Sequence, residues 1–198
     1  NSYTGEVLKT TEDSYTVAEI SSFQLETVHE FHPVVSAILN ITPDHLNRHH
    51  TMECYAHTKE RIAKNQNKSD VCVLNMEDEE LYRFGKECSA SVVWFSSRRK
   101  PCKGAYLDGN NIRYTDGVTD KIMLNVHDMN LLGTHNYENV CAAIAMTKAV
   151  GIPDDIIIEQ IKNFKAVEHR IEYVATKNGV WYYNDSKGTN PEASVKAI

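Results

Sequence analysis

The chain carries two hydrophobic textures, one after the other. Residues 16–20 (TVAEI) and 34–41 (VVSAILNI) are apolar and β-branched with little polar interruption, as expected of strands buried on both faces of a parallel sheet. Residues 22–31 between them read as a short crossover helix, with Phe23, Val28 and Phe31 turned inward and Pro33 as its stop. Residues 53–65 hold good helix formers and no proline or glycine. The strand VCVL at 71–74, a polar helix at 78–86 and the strand VVWF at 92–95 follow. This βαβα alternation predicts an α/β core.

From residue 96 to 126 the runs shorten to AYL, IRY and KIMLNV, separated by Asp108-Gly109, Asn110-Asn111 and Asp116-Gly117. Turn pairs at that spacing predict an antiparallel β-meander at the edge of the sheet. Residues 136–150 then place Val140, Ala143, Ile144 and Thr147 at helical spacing after Gly133. A second helix begins at Pro153-Asp154, with Ile157, Ile161 and Phe164 packing inward. Further on, IEYVATK and VWYYN flank Asn178-Gly179, the pair that a two-residue type I′ hairpin requires. Asn190-Pro191-Glu192 opens another helix, which the last residue, Ile198, cuts short in the manner of a fragment boundary. The expected fold is α/β. Residues 1–166 form a mostly parallel sheet flanked by helices with the meander at its edge, and residues 167–198 form the first hairpin of a second α/β domain.

Charge and cysteine content narrow the class. The 198 residues hold 21 basic and 27 acidic side chains, for a net charge of −6, and no basic block able to neutralise a run of phosphates; nucleic acid is excluded as a main partner. No stretch approaches the roughly 20 apolar residues that span a bilayer, and the first ten residues lack the apolar centre of a secretory signal. A cytoplasmic protein without a membrane partner is expected. The five cysteines, at 54, 72, 88, 102 and 141, contain no C-x-x-C pair and suit free thiols in a reducing compartment.

Several polar residues fall where ligands collect, beyond the carboxyl ends of parallel strands. Glu19 ends the first predicted strand, followed by Ser21 and Gln24; its ordinary reading is a strand-end carboxylate, its functional one a cation ligand. Asp44 and His45 follow the second strand, in a cluster where His45, His49, His50 and His57 fall within thirteen residues. Only His45 is singled out, as a metal ligand beside Glu19; the others are read as capping or core residues. Lys59 lies in the next helix, a solvated lysine on the plain reading, a nucleophile or a carbon dioxide acceptor near a metal on the other. Asn136 and Asn139 open a helix and suit either capping or an adenine edge. Arg170 suits phosphate charge, and Asp185 a ribose hydroxyl or a cation. There is no G-x-x-x-x-G-K-[ST], no G-x-G-x-x-G and no G-x-S-x-G in the 198 residues.

The strings EISSFQLE at 19–26, NITPDHLNRH at 40–49, YAHTKERI at 55–62, GTHNYENVCAA at 133–143, HRIE at 169–172 and NDSKGTN at 184–190 together resemble the Mur ligases, ATP-dependent amide-forming enzymes of peptidoglycan precursor synthesis. The first and last strings resemble the branch that adds D-glutamate. This resemblance implies a Mur ligase central domain and a set of roles. Glu19 would ligate the magnesium that bridges the nucleotide phosphates, His45 a second magnesium, and Lys59 would be carried as a carbamate. Ser21 and Gln24 would contact the UDP-sugar, Asn136, Asn139, Arg170 and Asp185 the nucleotide, and Lys187 and Thr189 the incoming amino acid. The implied partners are ATP, two magnesium ions, UDP-N-acetylmuramoyl-L-alanine and D-glutamate, with the complete enzyme a monomer. The implied reaction passes through an acyl phosphate. The family's glycine-rich phosphate loop is expected before residue 1 and most of a C-terminal domain after residue 198, so the fragment alone is expected to be inactive. Asn47 stands where many relatives place an aspartate. A folylpolyglutamate synthase-like ligase and a non-catalytic metal- or nucleotide-binding domain are the alternatives; SSFQLE and DSKGTN argue against the first.

Overall fold

The computed structural model describes residues 3–131, 133–165, 169, 172–186 and 188. A six-stranded sheet is built in chain order from β1 (Val35–Ile38), β2 (Val71–Asn75), β3 (Ser91–Ser96), β4 (Gly104–Asp108), β5 (Asn111–Thr115) and β6 (Asp120–Asn125). The first four strands run parallel, and β5 and β6 complete the sheet antiparallel, as the meander reading predicts.

Helices cover both faces. Short α1 (Tyr3–Glu6), α2 (Ser22–Leu25) and α3 (Leu46–His49) precede α4 (Met52–Glu60) and α5 (Glu79–Glu87); α6 (Thr134–Ala149) and α7 (Asp154–Asn163) follow the meander. Successive residues of β2 point to opposite layers: Val73 joins Val93, Phe95, Ile144 and Ile157 under α6 and α7, whereas Cys72 and Leu74 join Tyr55, Ala56 and Leu81 under α4 and α5. A strand buried on both faces has no polar face, which is why VCVL reads as an uninterrupted apolar run. Gly104 starts β4 at φ +141°, where an added Cβ would lie 1.7 Å from the Trp94 carbonyl oxygen; only glycine lets β4 approach β3 this closely.

Three expectations need correcting. Residues 16–20 form no strand; the stretch has no regular structure and is largely exposed, Val17 by 94%, because no described strand lies beside it to bury its apolar face. The helix after it stops at Leu25 instead of reaching residue 31, and Phe23 and Phe31 remain 43% and 36% exposed while Ser22 and Leu25 are buried. Phe164 is half exposed beyond the end of α7, leaving Ile157 as that helix's buried anchor.

The hairpin of β7 (Glu172–Lys177) and β8 (Val180–Asn184) forms as expected, with Asn178 at φ 53° and Gly179 at φ 77°, the two positive values of a type I′ turn. The boundary at residue 166 and the helix after Asn190 lie outside the described residues.

Candidate active site

The loops after β1, β2 and β3 leave the sheet at one edge, the carboxyl edge where parallel sheets gather ligands. Ser97, just past β3, donates to the Glu138 carboxylate in the first turns of α6, so α6 also begins at this edge. Asn136 is half-buried, with its N–H on the Gly133 carbonyl at 3.0 Å, and Asn139 is exposed.

Ser21 and Gln24 find one another. The Ser21 hydroxyl accepts the Gln24 N–H at 3.4 Å, and the Gln24 side-chain oxygen accepts the Ser21 N–H at 2.9 Å. This reciprocal capping box opens α2, and both residues stay exposed. Glu19 lies exposed in the irregular stretch just before it.

His45 adopts a left-handed backbone, φ 53° and ψ 28°, at the start of α3. A residue with a Cβ held there costs on the order of 1 kcal/mol or more and marks a position that its surroundings determine. Its N–H is accepted by its neighbour Asp44 at 2.8 Å, its ring nitrogen Nε2 lies 3.4 Å from the Asp44 carboxylate, and its ring meets Phe23 of α2 at 4.8 Å between centroids. His49 behaves as a core residue, as expected of it: 2% exposed, its Nε2 is 3.0 Å from the Ser22 hydroxyl and its ring stacks on Phe23.

Lys59 reaches this segment from α4. Its Nζ donates to the Asn40 carbonyl at 2.9 Å and lies 5.1 Å from the centre of the Tyr55 ring. Burial pushes its pKa below the ordinary lysine value, opposed by the nearby carboxylates of Asp78 and Asp44. A half-buried amine with its proton loosened is one able to react as a nucleophile. Lys59 thus meets the stretch after β1 at Asn40, and His45, five residues on, meets α2 through Phe23.

Sequence reasoning passed over two residues that tie the stretch after α4 to the end of α2 and the chain beyond it. Arg61 donates to the carbonyls of Leu25 and Val28 at 2.8 and 3.0 Å, and Asn65 donates to those of His29 and Phe31 at 2.7 and 2.9 Å. Side chains that serve backbone carbonyls leave no periodicity to read, although an Arg and an Asn spaced four apart at a helix end were a signal available. Asp185 follows β8, half-buried, its carbonyl accepting the Gly188 N–H at 2.9 Å. Arg170, Lys187 and Thr189 lie outside the described residues.

Among the described residues no three His, Cys, Asp or Glu side chains are grouped to hold a metal ion.

The family model described as the Mur ligase middle domain matches residues 3–147. The chain belongs to the Mur ligase family. It is 83% identical over 198 residues to the UDP-N-acetylmuramoylalanine--D-glutamate ligase of Lachnospira eligens, covering 100% of this chain and 44% of that one. It is 54% identical over 196 residues to the ligase of the same name from Lachnoclostridium phytofermentans, covering 99% and 43%. The chain therefore spans less than half the length of these curated relatives. Among solved structures, the UDP-N-acetylmuramoylalanyl-D-glutamyl-2,6-diaminopimelate--D-alanyl-D-alanyl ligase of Acinetobacter baumannii superposes with a TM-score of 0.65 at 17% identity, over 83% of this chain and 36% of that one. That likeness establishes the shared Mur ligase fold. Among the described residues no helix is long and apolar enough to cross a membrane.

Proposed function

We propose that the protein containing this chain is a ligase that uses ATP to join D-glutamate to UDP-N-acetylmuramoyl-L-alanine. The observation that carries the reading is the 83% identity, end to end, with a relative of that name. Fold alone would not choose among the substrates of the family. On this reading the carboxylate of the muramoyl-alanine attacks the γ-phosphorus of ATP, ADP leaves, and the amine of D-glutamate displaces phosphate from the resulting acyl phosphate.

Each candidate residue then has a task. Asn136 and Asn139, at the start of α6, hold the nucleotide, assisted by Arg170 and Asp185. Ser21 and Gln24, exposed at the capping box of α2, turn their free faces to the UDP-sugar, and Lys187 and Thr189 meet the amino acid. Glu19, His45 and a carbamate on Lys59 would hold magnesium. Magnesium, when bound, neutralises charge gathering on the phosphate oxygens. The half-buried position of Lys59 favours its neutral amine, the form that captures carbon dioxide, and the Asn40 carbonyl orients its Nζ. The reaction belongs to the cytoplasm, where the nucleotide substrates are.

The test is phosphate release from ATP with UDP-N-acetylmuramoyl-L-alanine, with and without D-glutamate, by the 198-residue chain and by a form extended to the relatives' full length. The extended form should release phosphate only when both substrates are present. The 198 residues, which contain no G-x-x-x-x-G-K-[ST] loop, should release none. Release that depends on a folate and L-glutamate instead would overturn the assignment.

A further inference from the structure

The turn that follows β1 is held at three consecutive residues by three side chains from elsewhere. Asn75, the last residue of β2, donates its Nδ2 to the Leu39 carbonyl at 3.1 Å. Lys59 donates to the Asn40 carbonyl at 2.9 Å, and the Asp78 carboxylate accepts the Ile41 N–H at 2.7 Å through Oδ2. The chain has left the sheet here, so these groups have no strand partner and would otherwise depend on water. Four residues beyond Ile41 stands His45 in its left-handed backbone.

Asn75 and Asp78 each work in two directions. The Oδ1 of Asp78 accepts the Leu81 N–H at 3.1 Å and caps α5, leaving Oδ2 for Ile41. The Oδ1 of Asn75 accepts the Glu77 N–H at 2.9 Å, leaving Nδ2 for Leu39. A cap needs one oxygen, which serine supplies as well as aspartate. Capping therefore accounts for half of what Asp78 does, and the half it leaves over points at the loop bearing His45.

We propose that Asp78 and Asn75 are positioning residues of the ligase reaction: they clamp the 39–41 turn to the end of β2, which sets where the 42–45 segment and the Lys59 amine stand relative to each other. The proposal rests on the ligase reading. Neither residue touches substrate; they act through the backbone that carries His45 and through the carbonyl that Lys59 meets. Displacements of about 1 Å at reacting groups can cost on the order of 100-fold in rate, so a clamp at this turn controls turnover without contributing to binding.

The test compares Asp78→Ser with Asp78→Ala. Serine retains a cap for α5 but is too short to reach Ile41 as well; alanine removes both bonds. Amide hydrogen exchange is followed at Ile41 and Leu81 in the 198-residue chain, and steady-state kinetics in the full-length form. In Asp78→Ser, exchange at Ile41 should quicken about 10-fold or more while Leu81 holds, the unfolding midpoint should fall only by the loss of one hydrogen bond, and kcat should fall roughly 10- to 100-fold with KM for D-glutamate changed by less than about twofold. Asp78→Ala should show the same kcat and a still lower unfolding midpoint. Wild-type kcat in Asp78→Ser, unchanged exchange at Ile41, or a kcat that follows the midpoint down from Asp78→Ser to Asp78→Ala would each overturn the clamp. A wild-type full-length protein with no D-glutamate-dependent phosphate release would instead overturn the ligase reading and the reaction role with it, and the exchange at Ile41 would tell that failure apart from an absent clamp.

Discussion

Arg61 on the turn after α4 grips the backbone just beyond α2, its Nε on the Leu25 carbonyl at 2.8 Å and its terminal nitrogen on the Val28 carbonyl at 3.0 Å. One planar fork thereby binds the last carbonyl of α2 and one in the irregular stretch beyond it, and ties the α2 segment that bears Gln24 to the chain just after α4, which bears Lys59. Lysine has one compact ammonium and cannot span both acceptors. Arg61→Lys and Arg61→Ala should both destabilise the chain by about 1–3 kcal/mol, since each removes at least one charge-assisted hydrogen bond to a part-buried carbonyl. Denaturant midpoints measure this; an Arg61→Lys midpoint equal to wild type would show that the fork is dispensable.

The role proposed for Glu19 needs a control that is structurally idle. Glu26 does not qualify, because it takes both arms of Arg48, at 3.3 and 2.8 Å, and lies 3.6 Å from buried His49. Glu30, exposed on the loop after α2, is the better comparison. In the full-length enzyme Glu19→Ala should lower kcat on the order of 100-fold or more, the loss expected when charge neutralisation at phosphate is weakened by several kcal/mol. Glu30→Ala should stay within about twofold. Similar losses for the two would remove Glu19 from the site.

The meander supplies a pH dependence unrelated to chemistry. Asp120 is held to about 2, by hydrogen bonding from Lys100 first and from Tyr106 and Arg113 with it, and Asp116 to about 2 by the N–H groups of Thr119 and Val118. An acid whose folded pKa lies below its unfolded value of about 3.9 stabilises the fold above that value and loses the contribution as pH falls toward the folded pKa. Unfolding midpoints should thus drop between about pH 4 and pH 2, and the drop should be smaller in Asp120→Asn. Parallel pH curves for the two proteins would mean that the pairing is energetically silent.

What could be read in advance depended on whether a residue's environment repeats along the chain. Strand β2 was legible because both its faces are buried, and Asn178-Gly179 because only a few residues accept two positive φ angles. Residues 16–20 carry the same apolar signature as β2, yet a strand also needs a neighbour, and the composition of a segment does not state whether one is present. The helix after them was overextended for a similar reason: its end at Leu25 is decided by Arg61, thirty-six residues away. In the candidate site, Lys59 and His45 were legible as motif residues, and Lys59 meets the stretch after β1, five residues before His45, at Asn40. Asn75, Asp78 and Arg61 were not, since their partners are backbone groups that any sequence offers.

Lys59 provides the sharpest chemical test. Its ammonium would repel magnesium, so a role at the metal-facing side requires the neutral amine, and burial lowers its pKa in the direction that favours that form. Carbon dioxide captured by the amine converts a cation into an anionic oxygen donor. Lys59→Ala in the full-length enzyme should therefore abolish turnover nearly completely, by on the order of 100-fold or more, and acetate or formate should restore part of it by filling the space with an oxygen ligand. Lys64, exposed just past the 3-10 turn that follows α4, should tolerate alanine. Arginine at position 59 keeps the hydrogen bond to Asn40 within reach but can never accept carbon dioxide, so Lys59→Arg should be as inactive as Lys59→Ala and unresponsive to carboxylates. If Lys59→Arg is active while Lys59→Ala resists rescue, the group acts as a cation that ties α4 to the 39–41 turn, and the carbamate has no part in the reaction.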